Sequence, residues 1–250
     1  MGTLDGRHVL VTAGAGAGMG SALVRLLRAA GAEVVAVDVD GPALDALVGE
    51  LPGVVGVHAD PTTPEGVERA LDAVAGPLWA LYNHAGGGER PLGVIEEVDD
   101  AEFDRVLDLN LAGPFRLARA VLPGMVARGG GCIVNTASVN GLRGARGGPA
   151  YAAAKFGLIG LTQHIAATYG EFGVRCNAVC PGPTGHRELS QDRAAGRVTE
   201  RGRLLLARDT GKPAPCPPEQ VAAVGVYLAT DAARRVNGAA IPVDGGWIAY

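Results

Sequence analysis

The sequence has no long basic run, no long apolar run and no zinc-type paired close spacing of its cysteines, and each absence removes a class of function. Its 22 Lys and Arg are interspersed with 26 Asp and Glu, giving a formal net charge of -4, so it offers no footprint for nucleic acid or an anionic membrane. No stretch approaches the roughly 20 apolar residues of a membrane span. The first residues, MGTLDGRHVL, lack the charged start and apolar run of a signal peptide, so a cytoplasmic protein acting on small molecules is expected. Cys132, Cys176, Cys180 and Cys216 lack the spacing of a zinc site and read as buried free thiols, with no metal implied.

What is present is a rhythm. The chain is 250 residues long with 48% hydrophobic and 19% charged residues, which suits one globular domain spanning 1–250. Strand-like runs at His8–Thr12, Glu33–Asp38, Val54–His58, Leu78–Tyr82, Cys132–Ala137, Val174–Val179 and Ala240–Val243 alternate with helical stretches. Among the latter are Ser21–Ala30, Glu102–Ala127, Tyr151–Tyr169 and Glu219–Ala229. The alternation predicts an α/β fold, a doubly wound seven-stranded parallel sheet with helices on both faces. A closed eight-stranded barrel would need one more strand–helix unit. The rhythm breaks between Pro181 and Pro218, and residues 183–216 are expected to form a substrate lid with at most short helical pieces.

The first strand runs into Thr12-Ala13-Gly14-Ala15-Gly16-Ala17-Gly18-Met19-Gly20 and then a helix. Glycines there let a backbone approach a pyrophosphate, whose charge is met by free N–H groups at the helix N-terminus; a ligand-free tight turn is the plainer alternative. The second strand ends on Asp38, 18 residues after Gly20. A carboxylate there can accept both adenosine ribose hydroxyls and would repel a 2′-phosphate, which points to NAD over NADP.

Tyr151-Ala152-Ala153-Ala154-Lys155 places a Tyr and a Lys on one helical face, one turn apart, where the ammonium can favour the phenolate. Alone this motif is weak. It stands, however, in an ordered set: Asn83-His84-Ala85-Gly86 after the fourth strand, Asn110 in the long helix, Asn135-Thr136-Ala137-Ser138 closing the fifth strand, and Tyr151 13 residues beyond Ser138. Asn177-Ala178-Val179-Cys180-Pro181-Gly182 and Val243-Asp244-Gly245-Gly246 complete it.

In these motifs, and in the G-x-x-x-G-x-G spacing of Gly14, Gly18 and Gly20, the chain resembles the NAD-dependent short-chain dehydrogenase/reductase family along essentially its whole length. The resemblance implies a Rossmann-type fold and interconversion of a secondary alcohol and a ketone by hydride transfer. Tyr151 would be the acid/base, Ser138 would bond the reacting oxygen, Lys155 would hold the ribose and depress the Tyr pKa, and Asn110 would support a relay water. Cofactor contacts are implied at Gly14, Gly18, Met19, Asp38, Asp60, Asn83, Ala85, Gly86, Tyr151, Lys155, Pro181, Gly182 and Thr184. The resemblance also implies a homo-oligomer, a tetramer with the long helices at one interface.

The chain departs from the family pattern in places. The pattern T-G-x-x-x-G-x-G leaves two readings: either Ala13 replaces the family's Thr, or the turn carries an extra residue. Pro61 follows Asp60 and has no N–H to offer an adenine ring. His84 stands where Asn is usual, and either points toward the cofactor or fills a pocket with its ring hydrogen-bonded; His186 stands where Thr is frequent. His164 reads as a packing or subunit-contact residue. Arg143 and Arg146 border the substrate loop, where an anionic substrate or plain solvation accounts for them. Arg187, Arg193, Arg197, Arg201 and Arg203, set against Glu188, Asp192 and Glu200, read as charged surface. A non-redox enzyme on this fold, similar to halohydrin dehalogenases, and a catalytically silent dinucleotide binder are the alternatives. A Ser/His/Asp hydrolase is disfavoured, because Ser138 lacks a G-x-S-x-G elbow.

Overall fold

The computed structural model describes residues 3–15, 18–144, 147–184, 196–207 and 211–249. His186, Arg146, Arg187, Glu188, Asp192 and Arg193 lie outside the described residues, as does the middle of the expected lid. Seven strands form one sheet: β1 (His8–Thr12), β2 (Glu33–Asp38), β3 (Val54–His58), β4 (Leu78–Asn83), β5 (Gly131–Thr136), β6 (Val174–Pro181) and β7 (Ala240–Val243). All pairs are parallel, in the order β3-β2-β1-β4-β5-β6-β7, which is the doubly wound sheet expected. The order reverses between β1 and β4, and a crevice opens there beyond the carboxyl ends of the strands.

Alternation along the strands divides the core in two. Val9, Val11, Val34, Ala36, Ala80 and Tyr82 face α1 (Met19–Ala29), α2 (Gly41–Glu50) and the C-terminal α8 (Pro218–Ala229). Leu10, Val35, Val37, Leu81 and Ile133 face α3 (Pro64–Asp72), α5 (Gly113–Ala127) and α6 (Pro149–Tyr169). Each fully buried aliphatic side chain stabilises the fold by roughly 1.5–3 kcal/mol, so the sheet is secured from both faces. Two of the helices beside the crevice start on side-chain caps: Asp40 accepts from the Ala43 N–H at 3.1 Å and Thr63 from the Gly66 N–H at 3.0 Å. In the same way Asp99 opens α4 (Asp100–Leu107) by accepting from the Glu102 N–H at 2.8 Å.

The single long helix expected over Glu102–Ala127 is broken. Between α4 and α5 lies a π-helical turn, Asp108–Ala112, which contains Asn110. The cause is Pro114, which has no N–H for the Asn110 carbonyl, so the chain widens and Gly113 N–H reaches back to the Asp108 carbonyl. In the segment read as a lid, α7 (Glu200–Ala207) is one short helix, and bridges join Leu92 to Val198 and Thr184 to Cys216. Three of the four free cysteines are buried as expected; Cys216 is partly exposed because it sits in that surface bridge.

Candidate active site

Three adjoining cavities make one trough along the carboxyl ends of the strands. The first, about 360 Å³, is lined by Asp38, Val39, Asp60, Pro61, Ala85 and Leu109 among others. The second, about 330 Å³, shares Ala13 and Gly86 with it and adds Gly18, Met19, His84, Lys155, Pro181, Gly182 and Thr184. The third, about 410 Å³, shares Ser138 and Tyr151 with the second and opens toward Val198, Leu206 and Trp247. A ligand with an adenosine end, a pyrophosphate and a reactive ring would lie along such a trough with its ring against Ser138 and Tyr151.

Ser138 stands at the end of β5, where the strand stops pairing and turns into a short 3-10 helix, Val139–Gly141. Its hydroxyl oxygen caps that turn, accepting the Asn140 N–H at 3.1 Å. Tyr151 and Lys155 lie on the first turns of α6, and the Lys155 ammonium is 5.4 Å from the Tyr151 ring centre. Burial pushes the Tyr151 hydroxyl up to about 12; a hydrogen bond with Ser138 pulls it partly back, and the charges of Glu89 and Cys180 push it further up. Lys155 is 2% exposed and donates to the Thr136 carbonyl at 2.7 Å. Burial lowers its pKa to about 7.

Asn110 is fully buried in the π turn. Its amide nitrogen donates to the Gly87 and Val106 carbonyls, both at 2.8 Å, and its oxygen accepts the Gly87 N–H at 3.2 Å. This two-way grip fixes the glycine segment after β4. A Cβ on Gly86 would sit 2.8 Å from Asn110 Oδ1 and 3.2 Å from Lys155 Nζ, so a side chain there would displace both.

At the other end, the turn after β1 answers the question its spacing left open. Thr12 Oγ1 accepts the N–H groups of His84 and Ala85, each at 2.9 Å, tying β1 to the end of β4. Ala13 follows with φ 51°, a left-handed conformation that favours glycine. Thr12-Ala13 therefore takes the T-G place of the pattern, and the turn carries the extra residue. A Cβ on Gly20 would run into the Ala13 carbonyl, so helix and turn touch here through bare backbone. Gly14 faces away from the trough, buried with its Cα toward Ala36 and Val24. Ala13, Ala15, Gly18, Met19 and Gly20 form the lining instead.

Asp38 lies beside this turn, its Oδ2 accepting the Ala15 N–H at 2.9 Å and its Oδ1 the Asp40 N–H at 3.0 Å. Asp60 and Pro61 line the same cavity, with Asp60 accepting from the Thr62 N–H and hydroxyl. Asn83 is elsewhere: its amide donates to Asn135 Oδ1 at 2.8 Å, inside the sheet, and Asn135 in turn donates to Thr162. Its side chain orders strands and does not line the trough.

A family model described as enoyl-(acyl carrier protein) reductase matches residues 14–248. A 3beta-hydroxysteroid dehydrogenase 2 of Eggerthella lenta is 35% identical over 259 residues, covering 99% of this chain and 96% of that protein. The chain belongs to the short-chain dehydrogenase/reductase family. A meso-2,3-butanediol dehydrogenase of Serratia marcescens is 36% identical over 97% of the chain and 94% of its own length. A crystal structure of a short-chain dehydrogenase/reductase from Burkholderia xenovorans superposes with a TM-score of 0.86 at 35% identity, covering 100% of this chain and 99% of that one. The protein is thus an oxidoreductase of a family that uses nicotinamide cofactors.

As a member of that family it has features its sequence did not single out. Glu89, three residues beyond the Asn-His-Ala-Gly motif, is buried in the wall of the third cavity and accepts the Tyr151 N–H at 2.9 Å. A lone acid in a glycine-rich stretch was the available signal, but its partner is 62 residues away. The His84 ring lines the second cavity and is also bonded, its Nδ1 lying 3.0 Å from Thr136 Oγ1. Arg197, read from sequence as surface, lines the third cavity while staying exposed, whereas Arg201 pairs with Glu96 on the outside. Among the described residues, Arg143 bonds its own loop, at the Leu142 carbonyl. Among the described residues no helix is long and apolar enough to cross a membrane.

Proposed function

We propose that this protein is an NAD-dependent dehydrogenase/reductase that interconverts a secondary alcohol and a ketone, with Tyr151 as the acid/base. The observation that carries the reading is the meeting of Ser138, Tyr151 and Lys155 in one trough with the bare-backbone turn at α1 and the Asp38 carboxylate. The donor set fits a dinucleotide. Backbone at Gly18, Met19 and Gly20 would receive the pyrophosphate, Asp38 the adenosine ribose and Asp60 the adenine amino group, with Ala85 and Gly86 beside them. Lys155, Pro181, Gly182 and Thr184 would hold the other half, whose nicotinamide ring, when bound, supplies the hydride acceptor or donor.

The chain's own groups handle the proton. Tyr151 takes it from the alcohol hydroxyl during oxidation and returns it to the carbonyl oxygen during reduction, while the Ser138 hydroxyl bonds that oxygen. A phenol near 12 is a poor base at neutral pH, and the Lys155 ammonium together with the positive ring of a bound nicotinamide would bring it down. Asn110 is a positioning residue that holds Gly87 and would support a water that passes protons outward. Asp38 opposes a 2′-phosphate, which gives the preference for NAD.

A tetramer in the cytoplasm belongs to the same reading. Phe115 on α5 and Phe156 on α6 are exposed, and a cavity of about 450 Å³ between these helices is lined by Leu161, His164 and Tyr169, a face suited to a second copy. The test of function is direct. Purified protein should bind NADH more tightly than NADPH by fluorescence titration and reduce ketones with it, and Tyr151→Phe should bind NADH yet lose turnover. Full activity in that variant would remove Tyr151 from its role. Light scattering on the eluted protein checks the tetramer, and a monomer would refute it.

A further inference from the structure

The start of α6 lacks the local features that usually secure a helix. Its N-cap is Gly148, which has no side chain to accept a first-turn N–H, and no acid in the first turn meets the positive end of the helix dipole. Tyr151 stands in that turn, where its backbone N–H has no carbonyl within the helix to reach. The acceptor comes from outside the helix: Glu89, 62 residues earlier, takes the Tyr151 N–H on Oε1 at 2.9 Å. Glu89 is 5% exposed, and its Oε2 makes no hydrogen bond among the described residues, so this single bond is what its carboxylate supplies. Glycine at 148 makes the reach possible, because a Cβ there would collide with the Glu89 carboxylate.

Glu89 is itself held from both sides. Before it, Asn110 grips both polar groups of the Gly87 backbone, and Arg105 on α4 donates to the Gly88 carbonyl at 3.0 Å. After it, Glu102 accepts the Arg90 N–H at 2.6 Å while paired with Arg105. Side chains of α4 and the π turn therefore fix the backbone that carries Glu89, and Glu89 passes that fixed position to the first turn of α6.

We infer that Glu89 is a positioning residue for Tyr151: its carboxylate caps α6 in place of Gly148 and fixes the turn from which Tyr151 works. This rests on the dehydrogenase reading, in which Tyr151 moves the proton. A frayed first turn would shift Tyr151 and leave Lys155, one turn deeper and bonded to the Thr136 carbonyl, in place. The defect therefore falls on turnover and spares cofactor affinity. The cap also carries a charge. Around the Tyr151 hydroxyl, Glu89 and Cys180 of β6 disfavour the phenolate and Ser138 bonds it; Lys155 lies 5.4 Å from the ring centre, and the exposed Arg90, Arg197 and Lys212 line the same cavity. Removing the Glu89 charge thus favours the phenolate, whereas removing the cap displaces it. The two effects act in opposite directions on alcohol oxidation, which lets them be separated.

The experiment compares Glu89→Ala, which loses cap and charge, with Glu89→Gln, which keeps an oxygen for the Tyr151 N–H and loses only the charge. Amide exchange at Tyr151, read by NMR on protein carrying isotope-labelled tyrosine, should quicken about tenfold in Glu89→Ala, the scale of a lost cap, and little in Glu89→Gln. With butane-2,3-diol and NAD, kcat at the top of the pH profile should fall about 10- to 100-fold in Glu89→Ala, with KM and NADH affinity within about threefold. Glu89→Gln should recover most of that loss. In both variants the alkaline rise of oxidation, and the phenolate midpoint read by ultraviolet difference against Tyr151→Phe with NAD bound, should move at least about half a pH unit lower. Gly148→Ala displaces the carboxylate without removing it and should also lower kcat, so the outcome does not hang on the folding of Glu89→Ala. Unchanged exchange and kcat in Glu89→Ala, a Glu89→Gln variant as impaired as Glu89→Ala, or NADH affinity falling as far as kcat would each overturn the inference. So would an unmoved phenolate midpoint, which would mean that no charge sits at the cap. Exchange and phenolate midpoint responding as stated in a protein that turns over no secondary alcohol would sink the dehydrogenase reading and leave the cap standing.

Discussion

At the β5–α6 end of the trough, the groups around the chemistry are held by partners inside the protein: Ser138 by Asn140, Lys155 by Thr136, Asn110 by Gly87, and the start of α6 by Glu89. At the β1–β3 end the turn after β1 presents backbone, with a left-handed Ala13 where glycine is favoured, beside the Asp38 and Asp60 carboxylates and a proline at position 61. The difference follows from what each end must do. Groups that move a proton need fixed position and a tuned charge, whereas a backbone turn can receive an anion through N–H groups that any side chain leaves in place.

Tyr151→Phe tests the rigid end most severely: kcat should fall by about 10³-fold, within the usual range for a lost general acid/base, while NADH affinity and thermal midpoint hold. A loss below tenfold would break the contrast. The pH profile comes next. Because burial raises the Tyr151 value, the phenolate becomes populated only as pH rises, so alcohol oxidation should climb from neutral to alkaline pH while ketone reduction does not. Steady-state rates in both directions read this, and an oxidation rate that falls between pH 7 and 9 would contradict it.

Asp38→Ala probes the softer end. Removing the carboxylate should shift the NADH-to-NADPH affinity ratio toward NADPH by roughly 10- to 100-fold, the scale of a relieved like-charge contact. Dissociation constants for both cofactors decide it, and an unmoved ratio would mean the preference is set elsewhere.

Lys155 gives a stability counterpart. Its folded value, about 7, lies below the unfolded 10.5, so between those pH values the unfolded chain binds more protons and this group's contribution to stability rises with pH. Lys155→Met should stabilise the fold at pH 7 and raise the thermal midpoint, by an amount on the order of 4 kcal/mol less about 1 for the lost Thr136 bond, and the gain should vanish near pH 11. Scanning calorimetry at both pH values measures it. The smallest effect is expected at Ala13→Gly, which should stabilise by about 0.5–1 kcal/mol by relieving the positive φ. A destabilised variant would show that the Ala13 methyl earns more in contacts than its backbone loses.

Much of the fold was legible because parallel strands covered on both faces read as apolar runs; β1, β2, β3 and β7 fall where the runs end. The break at Asn110 was missed because apolar spacing continues through it, and only Pro114 signalled that a hydrogen bond was absent. Of the site, Ser138, Tyr151 and Lys155 are brought together as their order suggested, because all three lie at element ends that the sheet aligns. Asn83 and Gly14 were read as cofactor contacts, yet the side chain of one and the Cα of the other point into packed layers, a direction that sequence spacing does not specify.

The sequence by itself determined the order of strands and helices, the glycine-rich turn and the Tyr–Lys pair one helical turn apart, since these depend on local periodicity and spacing. Only the tertiary structure decided that Thr12 anchors β1 to β4, that Ala13 occupies the glycine position, and that Glu89 reaches across 62 residues to the start of α6. Those contacts depend on which groups the folded chain leaves without water, and burial is a property of the packed whole.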